Sequence, residues 1–123
     1  MSIHDELQAL MDTMAAAYRA GDAAGCASLF DQDGELYSPY APPARGRAAI
    51  ETLHQEWTRG GENKQLTVID AGSSGDLAWC HTAYSEGDIS GDGTSLSVLR
   101  RQANGQWLIR ICMLNSDAPT MHD

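Results

Sequence analysis

Apolar residues in the first half of the chain recur with the spacing of amphipathic helices. This spacing predicts a first helix over residues 3–20, which Gly21 ends. A short second helix is expected from Ala23 to Phe30, and a third from Arg47 to Arg59, ended by Gly60-Gly61. The apolar faces of the two longer helices comprise Ile3, Leu7, Leu10, Met11, Met14 and Tyr18 in the first, and Ile50, Leu53, His54 and Trp57 in the third.

The second half of the chain changes to β-rich runs separated by glycine-containing turns. The predicted strands are Glu35–Ser38, Gln65–Ala71, Leu77–Ser85, Thr94–Gln102 and Gln106–Asn115. Asn104-Gly105 is a strong hairpin signal between the last two. Helices followed by strands are typical of the α+β class, not of α/β. We expect three helices packed on one face of a bent antiparallel sheet, with a cone-shaped pocket between them.

The last predicted strand is apolar on both faces, which is typical of a strand that is buried on both. Because the helices cover only one face of the sheet, the outer face needs a second cover. We expect a homodimer that packs sheet against sheet. Strict alternation assigns to this outer face Trp79, His81, Trp107, Ile109, Ile111 and Met113.

Composition narrows the classes of function. A chain of 123 residues suits one domain over 1–123, and 42% apolar with 20% charged residues excludes disorder. No apolar run is long enough to span a membrane and the start resembles no secretory signal, so we expect a cytoplasmic protein. The net charge of −9 repels phosphate and anionic lipid, so we expect neither nucleic acid nor membrane as partner.

Residues that could hold a metal or cofactor do not cluster along the sequence. The cysteines are Cys26, Cys80 and Cys112, and they are expected to be reduced, small apolar fillers. The histidines fall on separate segments, at His4, His54, His81 and His122. Asp88 and Asp92 lack the ligand spacing of a calcium loop, and no glycine-rich nucleotide motif is present. We therefore expect no metal and no cofactor.

Several short strings, in this order and spacing, carry a family resemblance. They are Ala20-Gly21-Asp22, Ser38-Pro39, Gly46–Ile50, Leu99–Gln102, Asn104–Trp107 and Asn115–Asp117. In them the chain resembles the nuclear transport factor 2-like superfamily, and within it the SnoaL-like and ketosteroid-isomerase-like bacterial proteins. The resemblance covers nearly the whole chain and implies a cone-shaped, cystatin-like fold.

Ketosteroid isomerases act through a tyrosine, an aspartate base and a second aspartate that completes an oxyanion hole. Counted from the shared strings, these three positions are occupied by Met14, Ser38 and Ser97. A methionine donates no hydrogen bond, and an unaided serine is no base near pH 7. The resemblance therefore predicts no steroid isomerisation by that mechanism. A slip of the count would bring Tyr18 into the pocket without restoring a base.

The same count implies which side chains line the pocket. They are Met14, Tyr18, Ser38, Tyr40, His54, Trp57, Cys80, Thr82, Tyr84, Ser97, Arg110, Cys112 and Leu114. His54 suits a general base near neutral pH, or is a buried neutral histidine bonded within the fold. The aromatic members suit a flat ligand, or are plain core. The cysteines suit packing, because a nucleophilic thiol needs a paired base.

Arg110 stands between two isoleucines in mid-strand, where a buried guanidinium needs an anionic partner. It is a clamp for a ligand carboxylate or enolate, or half of an internal ion pair with Glu51, Glu56 or Asp117, or its aliphatic stem extends so that the guanidinium reaches solvent at the rim of the pocket.

Three classes of function remain open. The leading interpretation is a domain that binds a small apolar or carboxylate molecule in the pocket. An alternative is a cofactor-independent isomerase, cyclase or dehydratase acting on a carbonyl compound, with His54 as base and Arg110 or Tyr84 stabilising the oxyanion. The third is a dimerisation or assembly module whose outer sheet face binds a partner.

Overall fold

The computed structural model describes residues 2–86 and 92–117; Asp88 and His122 lie outside this part of the chain. In chain order its elements are α1 (Ile3–Arg19), α2 (Ala23–Ala27), β1 (Phe30–Tyr37), β2 (Ala44–Arg45), α3 (Arg47–Trp57), β3 (Gln65–Ser74), β4 (Leu77–Ser85), β5 (Gly93–Arg101) and β6 (Trp107–Ser116). The three predicted helices and the four long predicted strands are therefore present, within a few residues of their expected bounds. The short strand predicted at Glu35–Ser38 is part of β1, which begins earlier, at Phe30. The α+β prediction is confirmed.

The strands form one sheet in the order β2-β1-β6-β5-β4-β3. Every neighbouring pair is antiparallel except β1 and β6, which run parallel. The predicted antiparallel meander is present from β3 to β6, and β1 joins this sheet in parallel beside β6. The chain reaches β6 by way of the opposite edge of the sheet, and this arrangement places the first strand beside the last.

The helices bury their predicted apolar faces against one side of the sheet. In α1 the buried positions include Leu7, Met11 and Met14, and in α3 they include Ile50. Gln8 fastens α1 to the edge strand β3, since its side-chain amide donates to the Leu66 carbonyl at 3.0 Å and its oxygen accepts from the Val68 amide at 2.7 Å. The core and a cavity therefore lie between the helices and what we call the inner face of the sheet.

A β-bulge in β6 decides which residues belong to the core. Val98 pairs with Ile111, but Leu99 pairs with Ile109, so Arg110 is an extra residue opposite β5. The extra residue reverses the alternation of inner and outer side chains along the strand. Ile109 is consequently 1% exposed within the core, although it lies two residues from Ile111 on the outer face.

The bulge corrects the predicted outer face. Trp107 and Ile109 were expected there, and both are wrong, because they are buried in the core on the N-terminal side of the bulge. Trp79, His81, Ile111 and Met113 do lie on the outer face, as the pairing of β4, β5 and β6 shows. Met113 is 51% exposed and Trp79 40% exposed.

Candidate functional site

The inner face and the helices enclose a cavity of about 50 Å³ with largely apolar walls. Its lining residues come from both helical and strand elements: Met11, Met14, Tyr18, Phe30, Leu36, His54, Trp57, Lys64, Leu66, Tyr84, Ser95, Ser97, Ile109, Cys112 and Leu114. This space accepts a few heavy atoms of a ligand and is too small for a drug-sized molecule.

The cavity continues into a wider mouth of about 240 Å³. The mouth shares five lining residues with the cavity and adds two, Tyr40 and Glu86. Four of its side chains are aromatic, and the remaining residues are Lys64, Glu86 and Leu114. Cavity and mouth together suit a small molecule with an apolar end inside and a polar group at the junction.

Lys64 places a primary amine at this junction. The residue is only 8% exposed. Its Nζ lies 4.4 Å from the centre of the Tyr18 ring and 4.9 Å from that of Tyr84, and 3.8 Å from Oε1 of Glu86. Burial lowers the pKa of the ammonium, while the Glu86 carboxylate opposes this shift. The amine is therefore an enclosed charged group of the site, with the Glu86 carboxylate beside it.

Two hydrogen bonds fix the backbone of the loop that carries Lys64. The Lys64 amide donates to the Gly61 carbonyl at 3.2 Å, and the Lys64 carbonyl accepts from Nη1 of Arg19 at 2.8 Å. Gly61 is required because a Cβ there would lie 2.5 Å from the Tyr18 ring. The Tyr18 hydroxyl in turn donates to the Trp57 carbonyl at 2.8 Å. The backbone of Lys64 is thus fixed to α1 and to the turn that follows α3.

His54 places an unprotonated nitrogen at the cavity wall. Its Nδ1 lies 2.8 Å from the Ile50 carbonyl, so Nδ1 carries the proton and donates. Nε2 is then an acceptor, and it has no hydrogen-bond partner in the described ranges 2–86 and 92–117. The residue is 4% exposed, and desolvation lowers its pKa, with the nearby Lys64 charge acting in the same direction. His54 is consequently neutral at pH 7.

The tyrosine hydroxyls at the mouth are already engaged. The Tyr84 hydroxyl donates to the Asn115 carbonyl at 3.2 Å and accepts from the Tyr40 hydroxyl at 2.8 Å. Burial raises the pKa of Tyr84, and the Tyr40 contact adds to the shift. Because its proton is committed to a carbonyl, Tyr84 has none to give to a developing oxyanion.

The cavity is lined by two of the three residues that occupy the isomerase catalytic positions. Met14 and Ser97 are on its wall. The Ser97 hydroxyl is fully buried, and apart from the Cys112 thiol, a weak acceptor, it has no partner in the described part of the chain. Burial raises the pKa of Cys112 to about 11, so the thiol stays protonated at neutral pH. Neither group supplies a base.

Nine of the thirteen predicted pocket residues line the cavity or its mouth: Met14, Tyr18, Tyr40, His54, Trp57, Tyr84, Ser97, Cys112 and Leu114. The other four do not. Cys80 and Thr82 are fully buried behind the wall and contact each other, with Oγ1 of Thr82 3.6 Å from Sγ of Cys80. The Ser38 hydroxyl accepts from the Tyr40 amide at 3.2 Å, outside the lining.

The placement of Arg110 is a correction. As the bulge residue it directs its guanidinium to Glu35, with Nη1 3.0 Å from Oε2, on the face opposite Leu36 and the cavity. The Glu35 carboxyl also accepts from the Tyr37 hydroxyl, and these contacts, the tyrosine first, lower its pKa. The predicted alternative of an internal ion pair was correct in kind, but its partner is none of the three carboxylates considered.

Sequence reasoning missed the two charged residues of the site, Lys64 and Glu86. Both lie at strand ends, where neither helical spacing nor alternation assigns a side chain to a face. One signal was available for the first: Lys64 is the only lysine of the chain, and the other seven basic residues are arginines.

No group of three or more metal-ligating side chains occurs within residues 2–86 and 92–117. Over the same ranges, no helix is long and apolar enough to cross a membrane.

Comparisons with known proteins agree on the fold. A model of the SnoaL-like domain family matches residues 11–108. A Nostoc punctiforme domain of unknown function with a cystatin-like fold aligns with TM-score 0.79 and 20% identity, over 97% of this chain and 81% of the other. A ketosteroid isomerase-like protein from Erwinia carotovora atroseptica aligns with TM-score 0.77 and 17% identity, over 94% and 97%.

A third structure has been described as a calcium/calmodulin-dependent kinase type II association domain. It comes from Thiobacillus denitrificans and aligns with TM-score 0.72 and 18% identity, over 89% of this chain and 94% of the other. A search of curated proteins gives no significant match. At these identities the structural neighbours show the fold alone, and the chemistry has to be argued from the site.

Proposed function

The chain belongs to the SnoaL-like domain family, and we propose that it binds a small, mainly apolar carbonyl compound in the cavity beneath the sheet. The observation that carries the proposal is the amine of Lys64, 8% exposed at the junction of an apolar cavity and an aromatic mouth. A buried ammonium is costly to maintain without a partner. Among the described residues its carboxylate neighbour is Glu86, at 3.8 Å, which leaves donors for a ligand oxygen.

The charges around Lys64 favour a neutral carbonyl oxygen over a carboxylate. Glu86 already neutralises the ammonium, and its carboxylate would repel a second one in the same mouth. The chain as a whole carries a net charge of −9, which also disfavours anions. A carbonyl oxygen accepts hydrogen bonds from the ammonium without adding charge. The aromatic rings of the mouth would pack against the rest of the ligand.

Three probes that share a phenyl ring test this selectivity: acetophenone, ethylbenzene and benzoate, titrated by ligand-observed NMR. We expect acetophenone to bind best, ethylbenzene to lose the contact with Lys64, and benzoate to be repelled by Glu86. Glu86→Gln should strengthen benzoate binding. Equal affinity for acetophenone and ethylbenzene would contradict a role for the amine.

A matched pair of variants locates the binding site. Leu114 lines both cavity and mouth, whereas Met113 is its neighbour on the outer face. Leu114→Trp should abolish acetophenone binding because the larger side chain fills the mouth, and Met113→Trp should leave it unchanged. Binding that survives Leu114→Trp would place the ligand elsewhere and overturn the proposal.

A second candidate function is proton transfer next to the carbonyl, and the free Nε2 of His54 favours it. A neutral histidine whose Nδ1–H is fixed by a carbonyl presents its lone pair as a base. The Lys64 ammonium would stabilise the enolate oxygen. This activity would exchange the methyl protons of acetophenone with deuterium from heavy water. His54→Gln should abolish the exchange while acetophenone still binds; exchange that is unchanged in this variant would exclude His54 as the base.

A further inference from the structure

The residue type and the burial of Lys64 point beyond non-covalent binding. It is the only lysine in 123 residues, and its amine is enclosed while all seven other basic residues are arginines. A guanidinium never loses its proton at physiological pH, whereas a lysine amine does so when it is buried. A site that needed only a positive charge could use arginine. A lysine is required where the free amine itself reacts.

The geometry leaves the amine open to a ligand in the cavity. Nζ lies above the rings of Tyr18 and Tyr84, and the residue lines the cavity and the mouth alike. The backbone contacts to Gly61 and Arg19 fix the residue from behind. An apolar molecule in the cavity would therefore meet the nitrogen at the end of a held side chain, which is the arrangement that proximity catalysis needs.

Glu86 supplies the proton acceptor that such an amine needs. Its carboxylate lies 3.8 Å from Nζ, and this distance has to shorten to hydrogen-bond length for a proton to pass as the amine becomes neutral. Burial favours that neutral form by lowering the pKa of Lys64. The pair therefore differs from a surface ion pair, whose two charges are solvated and permanent.

We propose that Lys64 forms a Schiff base with an apolar aldehyde or ketone bound in the cavity, with Glu86 as its proton shuttle. The proposal rests on the carbonyl-binding function proposed above and specifies how that ligand is held.

The chemistry balances without any further reactant. Glu86 first takes a proton from the Lys64 ammonium, which leaves a neutral amine. The nitrogen lone pair attacks the carbonyl carbon, a C–N bond forms as the carbonyl π electrons move to oxygen, and a proton that the nitrogen gives up passes to that oxygen. The resulting carbinolamine loses its hydroxyl as water, with the proton returned by Glu86, and the remaining nitrogen lone pair forms the C=N bond. One ammonium and one carbonyl give one protonated imine and one water, and Glu86 ends as the carboxylate it was. Hydrolysis reverses these steps and releases the ligand.

Reductive trapping tests the proposal with benzaldehyde and sodium cyanoborohydride at pH 7. Benzaldehyde has no α-hydrogen, so the experiment is independent of any proton transfer by His54. Cyanoborohydride delivers hydride to the C=N bond and leaves a benzyl group on the amine. We expect one benzyl group on Lys64 by intact mass and peptide mapping. Lys64→Arg and Lys64→Met, each checked for folding by circular dichroism, should lose it.

The controls separate reaction in the pocket from reaction in solvent. The other primary amine of the chain is its N-terminus, and peptide mapping distinguishes the two. Leu114→Trp should lose the label on Lys64, and Met113→Trp should keep it. Labelling confined to the N-terminus, or labelling of Lys64 that persists in Leu114→Trp, would overturn the proposal.

Acetophenone binding, measured on the same preparation, distinguishes the two proposals. Wild-type protein that binds acetophenone but gains no benzyl group would overturn the Schiff base and leave carbonyl binding standing. Wild-type protein that does neither would overturn both. Benzyl transfer to Lys64 that Leu114→Trp blocks would support both.

Discussion

The two sides of the sheet differ in whether their polar side chains are paired. On the outer face, Arg110, Glu35 and Tyr37 are partnered with one another. In the space between the inner face and the helices, and within the described ranges, Nε2 of His54 has no hydrogen-bond partner and the hydroxyl of Ser97 has only the weakly accepting Cys112 thiol. Lys64 there has a single carboxylate, at 3.8 Å. Unpaired buried polar groups cost stability, so they are most easily explained by a ligand that completes them.

The apolar groups show the reverse contrast. The inner face is covered by α1 and α3, and residues such as Ile109 and Leu99 are almost wholly buried there. The outer face leaves Leu96 52% and Met113 51% exposed. Because Arg110 is an extra residue in β6, Ile109 before it points into the core and Ile111 after it points to the outer face. We therefore expect these two isoleucines to contribute very different amounts to stability.

The largest effect is expected from a comparison across the bulge. Ile109→Ala should lower the free energy of unfolding by about 2–5 kcal/mol, because it leaves a cavity in a packed core. Ile111→Ala, at a half-buried position on the outer face, should cost less than about 1.5 kcal/mol. Urea unfolding of both variants provides the measurement. Equal losses would show that the two residues share a face and that the bulge is absent.

The bulge also explains how far the sequence could predict the fold. The helices were predicted closely because three- and four-residue spacing directly marks the buried face, as with Leu7, Met11 and Met14. Alternation in β6 gave the wrong face for Trp107 and Ile109, because both faces of that strand are apolar and nothing in the pattern marks Arg110 as the extra residue. The parallel pairing of β1 with β6 depends on long-range packing, which local patterns do not encode.

The site was less predictable than the fold for a related reason. His54 and Trp57 could be assigned to the pocket because they follow the apolar spacing of α3. Lys64 and Glu86 lie outside periodic segments, and only the meeting of the α3–β3 loop with the end of β4 brings them to within 3.8 Å. Arg110 was placed inside by alternation and is directed outward by the same bulge.

A smaller effect on stability, but a clear one on association, is expected on the outer face. Because apolar side chains are exposed there, we still predict a homodimer. Its interface would comprise Trp79, His81, Ile111 and Met113, and would exclude the buried Trp107 and Ile109. Ile111→Lys should convert dimers to monomers in sedimentation velocity experiments at micromolar concentration. Gln55→Lys, on the exposed side of α3, is the control and should leave association unchanged. A monomeric wild-type protein would contradict the prediction.

A weaker contribution is expected from the outer-face ion pair. The pKa of Glu35 is lowered by the Tyr37 hydroxyl and then by Arg110, so the stability that this carboxylate contributes is present above its usual value of 4.5. It is lost as the pH falls through the lowered pKa. Arg110→Met should reduce the melting temperature slightly at pH 7 and flatten its decline below pH 4.5. Thermal melting between pH 3 and 7 measures both, and an unchanged acid profile would exclude the ion pair as a source of stability.

The smallest effect at neutral pH is expected inside the pocket, at His54. Within the described residues, the only hydrogen bond of its side chain is to the Ile50 carbonyl one helical turn away, so His54→Leu leaves no buried donor without a partner. We expect the stability of His54→Leu to be within about 1 kcal/mol of wild type at pH 7.5, because apolar packing offsets the lost ring contacts.

The pH dependence of stability should change more than the stability at neutral pH. Because burial lowers the pKa of His54 below its usual 6.5, the unfolded chain binds more protons between the two values, and wild-type stability rises with pH through that window. His54→Leu and His54→Gln both remove this titration, so each should flatten the melting profile between pH 5 and 7. A decline as steep as that of wild type in both variants would mean that the fold does not lower the pKa of His54.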